Sequence, residues 1–555
     1  MLVFLGIFLV VSQSFAQRLY WELNEGWNRQ PWKQHNTTQK EIYLQTTITI
    51  PKDRPLPGSV LVFEGFWWKG VVTINKQEIH FTGGLYPTQV KVGKLLKHGQ
   101  NNIKISIKGP KELSSRTTGG RLNSLHTDHS LPQLLRPPVL LLRPQIHLQN
   151  IWLTTSNNQV TAKAEVNAPD GSKVTYQAVL DGKVMASLGT ATVNANKAFA
   201  TPQDIPTTRW AFDKSNLFHL VATLSDKNGK VLDRMDVRTG IREVNIDGSV
   251  NINKTAIPIL GVRITSLQKN ITKAIREYKK AGVNAIEFHG EMIDRISLGI
   301  LDELGIPVII VPRCIGRTNY HKKNEIDDET LAQQDQRFVS AIRNHPSLIL
   351  IALEGQYEGI SLNSKHLTNS ELPIVGNKNQ TARMRFTEDF TPQCLPNKCT
   401  DKWLIEMTFR GSRTKDWKRI TNGFMQQVKG GIIGAILPVP QRQDRTSAID
   451  WQNHWKTISQ QLNIPQLKGT PVRASTALTV TNLTTSSWPL IVSVPLLSDQ
   501  AKSVSPRQAT SFYLWHRGKV RVRYQDSSTV HSITGGQWIN LFYNGPTNTL
   551  YFPKP

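Results

Sequence analysis

Between residues 41 and 108, apolar and polar positions alternate with a period of two in EIYLQTTITI, SVLVFEGF, VVTIN and NIKISIK, with Pro, Gly and Asn between the runs. Such alternation marks strands that bury one face. Asn75-Lys76 and Gly83-Gly84 supply turn residues, so the segment is expected to form an antiparallel β domain. Residues 109–137, rich in Ser, Thr, Gly, Leu and Pro, read as a long loop. A second series of strands follows over 145–245, in QNIWLTT, QVTAKAEV, KVTYQAVL, FHLVATL and VLDRMDV. Asp170-Gly171, Asp181-Gly182 and Asn228-Gly229 stand between them as hairpin turns, and the rhythm suits an immunoglobulin-like β-sandwich.

At about 258 the period changes. ILGVRI reads as a strand, and LQKNITKAIREYKKAG then places Leu267, Ile271, Ala274, Ile275 and Tyr278 on one helical face, with Gly282 as the stop. The strand NAIEF, the helix IDRISLGILDELG ending at Gly305, and the strands VIIVPR, LILIAL, KWLIEM and GIIGAILPV continue the pattern. Strands alternating with helices imply right-handed βα units on a parallel sheet, and here a (β/α)8 TIM barrel. Only 357–401 is left for strands five and six, with LPIV and RMRF as candidates, so the barrel is expected to be trimmed or irregular. Beyond 470 strands return, in ALTVTNL, LIVSVPLL, SFYLWH, KVRVRYQ, WINLFYN and TLYF. The expected fold is multidomain β plus α/β: a β domain over 17–144, an immunoglobulin-like sandwich over 145–250, the barrel over 251–468 and a closing β-sandwich-like domain over 469–555.

Residues 1–16, MLVFLGIFLVVSQSFA, are apolar but too short to span a bilayer. Small Ser14 and Ala16 precede Gln17 in the pattern of a cleavage site, so the segment is read as a signal peptide and the protein as exported, to a periplasm, the medium or a cell surface. No later run reaches transmembrane length. The net charge of +26 lies wholly outside that leader. A basic surface attracts polyanions. For an exported protein the expected partners are oligo- or polysaccharides, anionic ones among them, and no nucleic-acid motif accompanies the charge. Of the three cysteines, Cys394 and Cys399 are spaced for a small disulfide loop or remain free thiols, with Cys314 apart from them. No Cys/His set has zinc-ligand spacing, and HTDH, with His126, Asp128 and His129, reads as a polar loop; neither metal nor cofactor is expected.

Specific stretches resemble glycoside hydrolase family 2, which includes β-galactosidases, β-glucuronidases and β-mannosidases. FEGFWWKGVVTINKQEIHFTGGLYPTQVKVGKLLKHGQNNIKI is similar to that family's sugar-binding jelly-roll, and RTGIREVNIDGSVNINKTAIPILGVRI to its junction into the first barrel strand. GVNAIEFHG and ILDELGIPVIIV resemble its second and third barrel strands, and RNHPSLILIALEGQ its fourth. The resemblance covers roughly residues 20–440 and implies retaining hydrolysis of β-linked glycosides. Two carboxylates about 5–5.5 Å apart do that chemistry, at the C-terminal mouths of barrel strands.

By the resemblance, the nucleophile is Glu406 at the end of KWLIEM. The acid/base position falls on Gln356, and the neighbouring Asn that grips the sugar 2-hydroxyl is Gly355. An amide does not donate the proton a raised-pKa carboxylic acid supplies. Glu354, two residues earlier on the same side of an extended strand, is the substitute candidate. His289 and Glu291 are candidate sugar contacts. Other family positions differ as well: Glu287 replaces an Arg, Ile351 a Trp and Gly434 a Trp. Two readings therefore stand: an exported family 2-like glycosidase, or an inactive glycan-binding relative.

Overall fold

The computed structural model describes residues 18–24, 41–64, 69–82, 87–108, 137–205, 209–246, 250–264, 275, 278–290, 295–312, 337 and 339–352. Beyond these it describes 374–375, 382–386, 392–395, 402–407, 434–438, 456–457, 459–460, 477–482, 488–505, 508–514, 518–524, 527–533, 539–544 and 549–551. The leader, Cys314, Cys399, the HTDH segment and residues 109–136 lie outside the described residues.

In the first domain Glu41–Ile50, Gly99–Lys108, Lys69–Ile74 and Gln77–Thr82 form a four-stranded antiparallel sheet. Asn75 and Lys76 take φ of 50° and 75°, the left-handed pair that a two-residue hairpin turn requires. The turn is tied down by Asn101, fully buried, whose Oδ1 accepts from Asn75 Nδ2 at 2.9 Å and Lys97 N at 3.0 Å. Its Nδ2 donates to Lys97 O at 2.7 Å and Gly99 O at 2.9 Å, so the motif leading back into Gly99–Lys108 is a satisfied polar plug. Leu44, Val72, Ile74, Ile103 and Ile105 pack from this sheet against Trp21, Leu61, Phe63 and Leu140 of the facing one.

That facing sheet continues beyond the domain. It has eight strands: Ser527–Ile533, Gly518–Tyr524, Trp488–Ser493, Asp499–Val504, Leu19–Glu22, Val139–Leu142, Val60–Phe63 and Thr88–Lys91, in that order. Leu19–Glu22 runs parallel to Asp499–Val504, with Leu19 opposite Asp499, and antiparallel to Val139–Leu142. The closing strands therefore do not make a separate sandwich; one of their two sheets is an extension of the first domain's. Ile491 and Ala501 join the core of the first domain. Their strand neighbours Leu490 and Val492, with Val520 and Val522, belong to another core that includes Leu478, Val480 and Phe512 of the sheet Ala509–Tyr513, Ala477–Asn482, Ile539–Asn544 and Thr549–Tyr551. Since side chains alternate along a strand, the shared sheet is covered on one face at one end and on the opposite face at the other.

The second domain pairs a sheet of His147–Ser156, Gln159–Asn167 and Lys197–Phe199 with one of Lys183–Thr192, Lys173–Leu180, Phe218–Ser225 and Val231–Thr239. Asp181 and Gly182 at φ 49° and 74°, and Gly171 and Gly229 at 85°, occupy the turns expected of them. Val179 and Val221 reach into the closing domain's core. Where the three domains meet, Arg18 is buried with Asp233: Arg18 Nε donates to its two oxygens at 3.0 and 3.1 Å, and Arg18 Nη2 donates to Asp233 and to Leu148 O. Asp499 N donates to Arg18 O at 3.2 Å, and Arg54 pairs with Asp499 at 2.6 Å.

The remaining sheet has nine strands. Ile374–Val375, Leu348–Ala352, Val308–Pro312, Ala285–Gly290, Ile259–Ile264, Gly434–Pro438, Lys402–Met407 and Ala382–Phe386 lie side by side, all parallel, and Pro392–Leu395 adds antiparallel at the end. LPIV and RMRF thus both contain strands, and Cys394 lies in the added one. The helix Arg295–Leu304 stops at Gly305, whose φ is 63°. A Cβ there would stand 2.7 Å from the backbone nitrogens of Asp213 and Lys214, so the helix end is also a close contact with the second domain. Among the described residues no helix is long and apolar enough to cross a membrane.

Candidate active site

In the parallel sheet, register decides which residues share a face. Glu406 pairs with Arg385 on one side and Ile436 on the other, Ile436 with Gly261, and Gly261 with Ala285. Two residues along, Arg263 pairs with Glu287 and Glu287 with Ile309; two further, His289 pairs with Val311. Register partners lie on the same face and residues i and i+2 return to it, so Glu406, Arg385, Arg263, Glu287 and His289 all belong to one face of the sheet. Glu406 and His289 each stand one residue from the C-terminal end of their strands, Lys402–Met407 and Ala285–Gly290. His289 is therefore a strand residue rather than part of the loop beyond. Glu287 is fully buried. Buried carboxylates persist where hydrogen bonds or cations satisfy them. Glu354, Gly355, Gln356 and Glu291 lie outside the described residues; the fourth strand ends at Ala352.

At the opposite, N-terminal end of the strands the sequence pattern has a different use. The segment Asn344-His345-Pro346-Ser347 precedes the fourth strand and closes on Asp302, whose carboxylate accepts from Ser347 N at 2.9 Å and bonds His345 Nδ1 at 2.7 Å. Asn344 Nδ2 donates to Ile151 O at 2.9 Å, and Trp210 Nε1 donates to Asp302 O at 2.8 Å. Arg238 reaches Glu303 at 2.8 Å, Arg242 Nη2 reaches Leu348 O at 2.8 Å, and the Arg343 guanidinium lies 3.6 Å over the Trp152 ring. These contacts bind the second domain to the parallel sheet. The segment that leads into the fourth strand is thus an inter-domain clasp. Sequence reading missed this role because the partners Ile151, Trp210 and Asp302 are remote along the chain.

Burial alone would push the Asp302 carboxyl up, but His345, Arg238 and the Ser347 hydrogen bond hold it below the ordinary carboxylate range. A group depressed on folding stabilises the fold above its unfolded value, near ~3.9, and that contribution is lost as pH falls through the folded value. Asp302→Asn should therefore be less stable than the parent at pH 7, and the difference should shrink below about pH 4. Urea midpoints across pH 2–7 read this; a gap that stayed constant down to pH 2 would contradict it. Among the described residues no group of three or more His, Cys, Asp or Glu is placed to hold a metal.

Comparison with known proteins agrees with this architecture. Residues 146–242, the second domain, match the family model "Glycosyl hydrolases family 2". A β-galactosidase of Alteromonas mediterranea is 21% identical over 351 residues, which is 56% of this chain but 32% of that relative. The chain thus matches about a third of that relative's length. Among solved structures, the β-glucuronidase of Bifidobacterium dentium, complexed with coumarin-3-O-glucuronide, superposes with a TM-score of 0.56 at 14% identity, over 77% of this chain and 89% of that one. A β-glucuronidase from Ruminococcus gnavus, in complex with a C6-substituted uronic isofagomine, gives 0.54 at 14% identity, over 80% and 89%. At such identity the likeness is one of fold. The second domain thus matches the model of glycosyl hydrolases family 2, and the β-rich chain as a whole resembles β-glucuronidases in fold.

Proposed function

We propose that this protein is exported and acts on β-linked glycosides by retaining displacement, in a barrel whose eight parallel strands close between Ile374–Val375 and Ala382–Phe386. In support, the strands lie in the cyclic order five-four-three-two-one-eight-seven-six, which is the strand order of a (β/α)8 barrel. The observation that carries the chemistry is Glu406, next to the C-terminal end of its strand and on the face that holds His289 and the buried Glu287. Its carboxylate attacks the anomeric carbon while the bond to the leaving oxygen breaks. Water then displaces Glu406 in the second step. Glu354, or a residue of the 357–401 segment, gives the leaving oxygen its proton and afterwards takes one from the water. His289 and Glu291 contact the sugar. The solved structures of similar fold include β-glucuronidases, which makes a sugar bearing a carboxylate the first substrate to test.

Gln356 favours a second reading, a relative that binds glycan without turning it over. A panel of aryl β-glucuronides, β-galactosides and β-mannosides separates the two. Hydrolysis is expected, greatest on the glucuronide, and Glu406→Ala should reduce it to background. Activity that survives in Glu406→Ala removes Glu406 from the mechanism. Glycan binding with no hydrolysis of any substrate leaves the second reading.

A further inference from the structure

The chain passes from the first domain to the second through Arg143-Pro144-Gln145-Ile146-His147, and polar contacts pin this linker at both ends. Arg143 is buried; its Nε donates to Gly58 O at 2.8 Å and its backbone N to Ser59 Oγ at 3.3 Å. A Cβ on Gly58 would stand 1.9 Å from Pro144 O, so the linker lies directly on the first domain. At the other end His147, 6% exposed, turns back on the linker, with Nδ1 2.7 Å from Gln145 O and 3.0 Å from Pro144 O. Both partners are acceptors, so Nδ1 carries a hydrogen. Asn167 Nδ2 donates to the same Gln145 O at 2.8 Å. The next residue ties this point to the three-domain junction: Leu148 N donates to Asp233 at 2.8 Å and Leu148 O accepts from Arg18. The charged groups that face His147 are therefore Arg143 from the linker, Arg18 from the edge of the first strand and Asp233 from the second domain. Tyr20 and Asp236 stand one step beyond, Tyr20 against Arg18 and Asp236 against Tyr20.

We propose that His147 makes the junction of the first and second domains an acid-sensitive latch, closed while its ring is neutral and loosened when mild acid protonates it. The neutral ring clips the linker by donating one hydrogen and brings no charge. Protonation sets a third cation beside Arg18 and Arg143 in a buried place, and the one carboxylate there, Asp233, is already paired with Arg18. Burial, then the charge of Arg143, lowers the His147 pKa to about 4; Arg18 adds to this, while the Gln145 hydrogen bond and Asp233 oppose it. Arg143 is itself lowered by burial, to about 10, and so keeps its charge throughout mild acid. An unfolded histidine titrates at about 6.5, so the unfolded chain takes up its proton first as pH falls. The stability that neutral His147 contributes is thus complete above about pH 6.5 and is lost between there and the folded value. The depressed carboxyls of Asp302 and Asp236 act below about pH 3.9, outside this window.

Three measurements on the full chain test this. Hydrogen exchange at the imidazole C2 carbon, read by mass spectrometry of the peptide that contains His147, gives the midpoint of its titration in the folded parent. A midpoint below about 5 is expected, and one at the ordinary value of about 6.5 overturns the proposal. Urea denaturation at pH 7.5 and pH 5 compares the parent with His147→Gln, whose amide keeps a donor for the linker and takes up no proton. Relative to the variant, the parent should lose about tenfold or more in its folded-to-unfolded ratio between the two pH values. An equal change in both proteins overturns the proposal. Amide exchange of the strand His147–Ser156, corrected for the intrinsic effect of pH, should lose protection in the parent at pH 5 before the strand Val308–Pro312 does. Loss in step at the two strands means that acid unfolds the chain as a whole, and the latch falls. The first and third measurements use the parent alone, so the test stands even where His147→Gln does not fold.

Discussion

Replacing Arg18 by Met should cost about 3–5 kcal/mol, the usual result of leaving one half of a buried ion pair behind. Both side chains of the Arg18–Asp233 pair have no solvent exposure. Burial disfavours the Arg18 charge, yet Asp233 and Tyr20 together more than offset this and hold the guanidinium above its ordinary pKa. Asp233 also accepts from Leu148 N at 2.8 Å, so its carboxylate is fixed by the second domain and cannot follow a lost partner. Removing Arg18 frees Leu148 O and loosens the strand that begins at Leu19. Replacing both charges, with Arg18→Met and Asp233→Leu, should recover most of the loss, because an apolar pair carries no desolvation cost. Urea denaturation of the parent, the two single variants and the double variant measures this. A loss under about 1 kcal/mol in Arg18→Met would mean that the pair is not what holds the three domains together.

The second large effect concerns the proton. Gln356 stands where the resemblance places the acid/base, and an amide has no proton to give at neutral pH. Glu406 alone still attacks a substrate whose leaving group needs no protonation. If no other carboxylate takes the place of Gln356, a dinitrophenyl β-glycoside should glycosylate the protein, and the adduct should linger because no base assists water. Gln356→Glu should then restore both roles and raise turnover of ordinary leaving groups by roughly 10²–10⁴-fold. Intact-protein mass spectrometry of the adduct and steady-state rates of both forms check it. If Glu354 already serves, the pattern inverts: Glu354→Gln abolishes activity on poor leaving groups and Gln356→Glu changes little. No adduct and no turnover in either variant, with glycan binding intact, supports the non-catalytic reading.

What the sequence disclosed was mainly local. Asn75-Lys76 and Asp181-Gly182 mark turns because the required left-handed backbone is a property of those residues themselves. Gly282 and Gly305 end helices for the same reason, with φ of 77° and 63°. The strands of the parallel sheet were legible as apolar runs between helices, and Glu406 as a carboxylate at the end of one. The strand Leu19–Glu22 was not legible. It is four residues long, follows an apolar stretch of sequence, and draws its stability from Val139–Leu142 and from a parallel partner at Asp499–Val504. Only that pairing reveals the closing domain as an extension of the first. Nor was the packing role of the fourth-strand signature legible: His345 and Ser347 bond Asp302, a partner more than forty positions away.

The shared sheet also sets an order of events during synthesis. Asn24 bonds Ser503 across 479 positions of chain, and Leu19–Glu22 has one of its two edges filled only by Asp499–Val504. At ~5–20 residues per second, a ribosome needs tens of seconds to deliver that partner after the first strand has emerged. Until then one side of the first domain is an open strand edge, the kind of template on which nascent chains pair wrongly. The strands from Ala477 onward are thus the seal on the first domain, and a ribosome that stops short of them releases an unsealed edge.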